Sequence, residues 1–179
     1  MYVMVDVETD GPIPGDYSMV SFGAVVVTAA LDKTFYSGPL APISEKWDPK
    51  ALAISGHSRD ILALAGQNPR ERMEAFEVWL LQHVPKKPVF ISDNNGFDWS
   101  FINWYFHHFL GRNPFGFSSQ NLNSLYKGLR KDYYASFKGL RKTKHTHHPV
   151  DDAKGNAEAL LVMLDEFKTN KGEPSGILH

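Results

Sequence analysis

Two carboxylates two residues apart, Asp6 and Glu8, stand in an otherwise apolar run, Tyr2-Val3-Met4-Val5-Asp6-Val7-Glu8. Tyr2 to Val7 reads as a buried, valine-rich strand, and the period of two along a strand puts both acids on one face. Anions side by side against a core repel each other and lose hydration, so something positive has to neutralise them, and a bound cation is the simplest answer. A strand whose acidic face meets solvent satisfies the same pattern, so the pair alone decides nothing. Cysteine is absent, which excludes disulfides, thiolate zinc sites, iron–sulfur clusters and a cysteine nucleophile. Any metal is then held by oxygen or imidazole.

The 179 residues, 42% apolar and 13% aromatic, suit one domain with a continuous core, taken as 1–169, with 170–179 expected to fray. Ser18 to Thr28 reads as a second strand with Val20, Phe22, Ala24 and Val26 on one parity, joined to the first through the Gly11 to Asp16 turn, and Lys33 to Leu40 as a shorter third. Asp48 to Ala65 reads as helical with a break near Gly56, and Asn68-Pro69 opens a clearer helix to about Val84. Pro88 to Ser92 is a short fourth strand. After it comes a helix carrying Phe101, Ile102, Tyr105, Phe106 and Phe109, which Gly111 stops. Asn121 to Leu129 reads as helical, and Val150 to Phe167 as the final helix, with Ala157, Leu160, Leu161 and Leu164 inward. Strands first, then strands alternating with helices, predict an α/β layer structure with a mixed sheet. No apolar run reaches the roughly 18 residues of a membrane span, and the N-terminus enters the first strand without a basic or apolar leader. The expectation is a soluble, cytoplasmic protein with no membrane partner.

More acids stand at later boundaries. Asp98 follows the fourth strand in Ser92-Asp93-Asn94-Asn95-Gly96-Phe97-Asp98, and Asp151-Asp152 open the final helix behind His145-Thr146-His147-His148. A helix start gives any such aspartate a capping role. The histidines suggest a zinc site, but without Cys or a His-x-x-x-His helix the pattern is poor. The formal charge is only −1, yet Lys127, Arg130, Lys131, Lys138, Arg141, Lys142 and Lys144 face Asp132 alone in one short stretch. Such a run is a solvated loop or a track for phosphates. Tyr126, Tyr133, Tyr134 and Phe137 interleave with it, to stack on bases or to pack the loop.

Together these signals form one ordered pattern. Asp6-Val7-Glu8-Thr9-Asp10-Gly11, Asn94-Asn95-Gly96-Phe97-Asp98 and His147-His148-Pro149-Val150-Asp151-Asp152-Ala153 resemble the three motifs of the DEDDh 3'-to-5' exonucleases, relatives of polymerase proofreading subunits, oligoribonuclease and RNase T. The resemblance spans residues 6 to about 157. Two departures stand out: Asp93 precedes Asn94 where many relatives have His, and Ile54-Ser55-Gly56-His57 stands near where they carry Ile-His-Gly.

The resemblance implies an RNase H-like fold, α/β with a mixed five-stranded sheet flanked by helices. It also implies a metal-dependent 3'-to-5' exonuclease that acts on single-stranded RNA or DNA and releases 5'-mononucleotides. Phosphodiester hydrolysis needs a nucleophile at neutral pH and neutralisation of charge at phosphorus and at the leaving oxygen, which two divalent ions supply. All-carboxylate ligands select Mg2+ or Mn2+. By resemblance Asp6 bridges two ions, Glu8 and Asp152 complete one of them, Asp98 acts directly or through water, and His147 is the general base. Asp151, one residue off the spacing to His147, is expected to be the helix cap. Thr9, Asp10, Gly11 and Asn94 are the expected substrate contacts. A homodimer is compatible with the basic stretch. Two other readings stay open: a nucleic-acid-binding module on this scaffold that no longer cuts, and a histidine-centred zinc hydrolase of small phosphoesters.

Overall fold

The computed structural model describes residues 1–169, so the reading of 170–179 as a frayed tail lies outside the described residues. In chain order the elements are β1 (Tyr2–Thr9), β2 (Met19–Val26), β3 (Thr34–Ser37), α1 (Pro49–Ser55), α2 (Arg59–Ala65), α3 (Pro69–His83), β4 (Val89–Ser92), α4 (Asn95–Leu110), β5 (Ser119–Asn121), α5 (Leu122–Arg130) and α6 (Pro149–Thr169), with a 3-10 turn at Phe137–Leu140 before α6. The strands form one sheet in the order β3-β2-β1-β4-β5. β1 pairs antiparallel with β2 and β2 with β3, whereas β1 with β4 and β4 with β5 are parallel. The expected mixed five-stranded sheet is therefore present, with β1 at its centre.

Alternation along β1 sorts the molecule into two cores. Val3, Val5 and Val7 face one side, where Phe22, Ala24 and Phe90 join Met73, Phe76 and Leu80 of α3 and Phe101, Ile102, Tyr105 and Phe106 of α4. Met4 faces the other, with Val25, Ile91 and the α6 residues Ala153, Ala157, Leu160 and Met163. Continued past Met4, the same alternation turns Asp6 and Glu8 toward α6. Val20 leaves the parity predicted for it and packs with Leu52 and Leu62 under α1 and α2. The β1–β2 register shifts between Glu8 and Thr9, just where β2 passes that position.

Local signals account for most boundaries. Asp48 caps α1 by accepting from Lys50 N, and Gly56, at φ 72°, makes the predicted break before α2. Asn68 accepts from Arg70 N and Glu71 N to start α3 behind Pro69. Two elements gave no readable signal. β5 is only Ser-Gln-Asn, has no apolar alternation, and is fixed by its ladder to β4 and by Asn95 Nδ2 donating to Ser119 Oγ at 2.8 Å. The 3-10 turn lies inside the basic stretch, where Phe137 is fully buried against the α6 core, so this aromatic packs the loop. No described helix is long and apolar enough to cross a membrane.

One close approach sets the site. Gly23 sits opposite Asp6 in the β1–β2 ladder, and a β-carbon there would fall 2.4 Å from Pro149 C and Val150 N. The first turn of α6 thus rests directly on the strand beside Asp6. Gly23→Ala should force α6 outward and destabilise the fold by about 1–3 kcal/mol, as overpacking does. A clear drop in Tm is expected, with a smaller stabilisation by Mn2+, and an unchanged Tm would show that the contact is not a constraint.

Candidate active site

Three elements bring the predicted acids together. β1 supplies Asp6 and Glu8, the first turn of α4 supplies Asp98, and the first turn of α6 supplies Asp152. Asp6, Glu8 and Asp152 each offer a carboxylate oxygen within 4.8 Å of the others. Asp98 is 3% exposed and Asp152 1%, so little water reaches either.

The electrostatics follow from that crowding. Burial first, and then the charges of Asp98, Asp93, Glu8 and Asp152, push the Asp6 carboxyl well above the usual range. Burial and Asp152 raise Glu8 to about 7. Burial, with Asp93 next, raises Asp98 to about 8. Asp98 Oδ2 is buried with no hydrogen-bond partner. A buried carboxylate oxygen without a donor is costly, and a hard divalent cation among these oxygens would remove both the orphaned oxygen and the mutual repulsion. The donor set fits such an ion.

Asp152 is different, because its oxygens are already engaged. Oδ1 accepts from Arg141 Nη2 at 2.9 Å and Thr146 N at 3.2 Å, and lies 2.8 Å from His145 Nδ1. Oδ2 accepts from His147 N at 3.0 Å. Asp152, rather than Asp151, therefore holds the backbone of the turn before α6; Asp151 accepts from the side chain of Thr146, at Oγ1. This corrects the expected cap, and the reason is direction, since Asp152 points back over the turn that leads into its own helix. The same bonds hold His147 in a left-handed conformation, φ 59°, which a non-glycine residue keeps only when its surroundings dictate it. His147 Nδ1 then lies 3.9 Å from Glu8 Oε1 with the ring half-exposed. His145 stands 4.3 Å from His147, centroid to centroid, whereas His148 stacks on Tyr36 of β3.

The predicted substrate contacts separate. Thr9 and Gly11 line a cavity of about 340 Å³ beside Glu8, together with Val7, Pro12, Asp48, Ala51, Ile54 and Phe97. Asp10 adjoins this loop but is fully buried. Its carboxylate accepts from Ser18 N at 2.5 Å and from Arg59 Nη1 at 2.6 Å, so its side chain is committed inside the protein. Asn94 is exposed at the start of α4, and its side chain makes no capping bond. The sequence reading gives Phe97, Asp48, Asp93 and Arg59 no role at this site, and weighs His145 only as a member of a zinc cluster. Asp93 is read one residue before the second motif only as a departure from the family's pattern; Arg59 carries no signal that pairs it with Asp10. Of the tryptophans beside the second motif, Trp99 packs edge-on against Phe90 and Trp104 stacks on His108.

Comparison with known proteins gives the same picture. The family model described as Exonuclease, RNase_T, matches residues 3–160. A 3'-5' DNA exonuclease of Escherichia coli, Cap18, is 38% identical over 183 residues, covering 96% of this chain and 95% of its own. Among solved structures, the nuclease domain of 3'hExo, a DEDDh family member bound to rAMP, superposes with a TM-score of 0.71 at 17% identity over 92% of both chains. Cell-death related nuclease 4 gives 0.72 at 15% identity, covering 92% of this chain and 64% of that one. Exonuclease I of E. coli in complex with a dT13 oligonucleotide gives 0.66 at 17%, covering 95% of this chain and 42% of that one. The fold is the RNase H-like fold of the DEDDh exonucleases.

The raised carboxyls make the metal-free fold sensitive to alkali. Glu8 and Asp98 keep their protons in the folded state up to about 7 and about 8, whereas in the unfolded chain they lose them near 4. Between those limits the native state binds more protons, so the stability these two groups contribute is full below about 4 and is lost as pH rises to about 7 and 8. In chelator, Tm should therefore decline from pH 5 to pH 8.5 more steeply for the wild type than for Asp98→Asn, and Mn2+ should restore it at pH 8.5. Parallel profiles for the two proteins would contradict the assigned charge crowding.

Proposed function

This chain belongs to the RNase_T exonuclease family and is a 3'-5' exonuclease, and from that premise we propose that it hydrolyses single-stranded DNA with two divalent ions, Mg2+ or Mn2+. The observation that carries this reading is the convergence of Asp6, Glu8 and Asp152 on one point, next to the partnerless oxygen of Asp98. The family is divalent-metal dependent. DNA is chosen over RNA because the 38% identical relative is named a DNA exonuclease.

Asp6, Glu8, Asp98 and Asp152 would hold the ions. When bound, the ions supply a nucleophile at neutral pH and neutralise charge at phosphorus and at the leaving oxygen. The protein's own groups do the rest. His147, half-exposed and 3.9 Å from Glu8, takes the proton of the attacking water as general base. The partly apolar cavity formed by Thr9, Gly11, Ile54 and Phe97 beside Glu8 receives the terminal nucleoside, and the 5'-mononucleotide leaves from it. Asn94, exposed at the mouth of α4, faces the strand. Asp10 acts only through its backbone and its bond to Arg59, which keep the Thr9–Gly11 loop in place.

A thymidine oligomer labelled at its 5' end should shorten stepwise in Mn2+ and remain intact in chelator, and a matched RNA oligomer should shorten more slowly. His147→Ala should lower turnover by roughly 10²–10⁴ and leave Mn2+ stabilisation in place. Asp6→Asn should abolish both. Equal rates on RNA and DNA would remove the substrate assignment, and full activity in His147→Ala would remove the base.

A further inference from the structure

A second cavity, of about 300 Å³, shares no lining residue with the one beside Glu8. It is bounded by Asp93, Lys138, Arg141, Lys142, Thr143, Lys144 and His145, so four cationic side chains face one carboxylate. Among the described residues, Lys138, Lys142 and Lys144 enter no salt bridge. The backbone at Lys142 is nonetheless fixed, because Glu158 of α6 accepts from Lys142 N and Thr143 N at 2.7 Å and from Thr143 Oγ1 at 2.9 Å, and Lys138 stands in the 3-10 turn. Three unpaired lysines are thus presented from a pinned segment around a concave space.

Arg141 links this cavity to the carboxylate cluster. Its side chain is 11% exposed and bonded to Asp152 Oδ1, and it lies on α6 over Gly155, where a β-carbon would fall 2.5 Å from its Nε. Asp152 Oδ1 already accepts from Arg141 and Thr146 N, with His145 Nδ1 crowding it at 2.8 Å, so both of its lone pairs are in use. A divalent ion engaged by Asp152 would repel the guanidinium at that range. The space open to the displaced Arg141 is the cavity it lines, but three lysines already stand there. Such a move is favourable only if an anion enters with it.

We propose that this cavity is a subsite for a phosphate of the bound strand other than the scissile one, and that Arg141 exchanges Asp152 for that phosphate when divalent ions occupy the cluster. The inference rests on the exonuclease reading of the site. It makes Arg141 a resident counter-ion of Asp152 before the metal arrives and a planar, two-pronged phosphate ligand afterwards. Metal and strand therefore assist each other's binding, and an oligomer gains from Arg141 what a mononucleotide cannot.

The test uses the full chain and three probes: Mn2+ alone, 5'-dTMP, and a thymidine 10-mer in Ca2+. Arg141→Gln should bind Mn2+ several-fold more tightly, because a competitor for Asp152 is gone. It should bind the 10-mer roughly tenfold more weakly with a salt slope smaller by about one, and bind 5'-dTMP as the wild type does. Gly155→Ala displaces the guanidinium without removing it and should tighten Mn2+ while keeping affinity for the 10-mer, which guards against loss of folding in the Arg141 variant. Lys144→Gln should weaken the 10-mer alone, by a few-fold. Unchanged 10-mer affinity in Arg141→Gln, or Mn2+ affinity that is unchanged or weaker, overturns the proposal. A wild-type chain that leaves a 5'-labelled oligomer intact would instead sink the exonuclease reading, whatever the binding data.

Discussion

Four carboxylates share a nearly dry space at the end of β1, and only one of them has a cationic partner bonded to it at close range. That repulsion governs the architecture. No fold places Asp6, Glu8, Asp98 and Asp152 in such proximity to stabilise the empty protein, since each buried like charge works against the others. The arrangement makes sense as a cost carried in advance for binding a strongly positive ligand, and the rest of the structure keeps the acids from drifting apart. Asp98 Oδ2 shows the constraint most directly: it is enclosed, it accepts nothing, and its carboxyl is held protonated well into the neutral range.

Holding the acids together needs rigid elements on both faces of the sheet. The valines of β1 are clamped by α3 and α4, while the alternate positions of the same strand, Met4, Asp6 and Glu8, turn toward α6. Residues that seem incidental then become necessary. Gly23 lacks a side chain because α6 occupies the space one would fill, and Asp152 steadies the turn that presents His147 before it acts on any ligand. Asp152 therefore joins scaffold and site in one side chain. Its partners Arg141 and His145 come from the basic segment, so the charge excess of that segment and the charge deficit of the cluster meet at this residue.

Much of this was legible in the sequence, for identifiable reasons. The β1 parity, the Asn68-Pro69 start of α3 and the break at Gly56 are carried by local patterns whose physics does not depend on the rest of the chain, whereas the four acids and His147 stood out as a set only through their resemblance to a family's three ordered motifs. Strand β5 was not readable, because three polar residues pair only once β4 exists to receive them. The 3-10 turn was hidden in a run whose charge masked the one buried residue, Phe137. The ion pair of Asp10 with Arg59 spans 49 residues, and nothing in either neighbourhood indicates the other. The expected assignment of Asp151 as the cap failed for a similar reason, since capping depends on which way a side chain points, and spacing cannot supply that.

The motif Asp6-Val7-Glu8-Thr9-Asp10 shows the distinction at its sharpest, because its three acids follow one another at equal spacing and only two belong to the cluster. Sequence distance cannot separate them, but their partners can. Asp10, on the far side of the register shift after Glu8, is met by Ser18 N and the Arg59 guanidinium, donors from the protein itself. Glu158 is satisfied in the same way by three donors from the basic segment. Asp6 and Glu8 are left facing other anions. A carboxylate supplied with donors is part of the scaffold, and one denied them in a buried place is, in the function proposed above, kept for a cation. Asp152 alone meets both descriptions, because the Arg141 guanidinium is already bonded to it while one of its oxygens also faces the cluster.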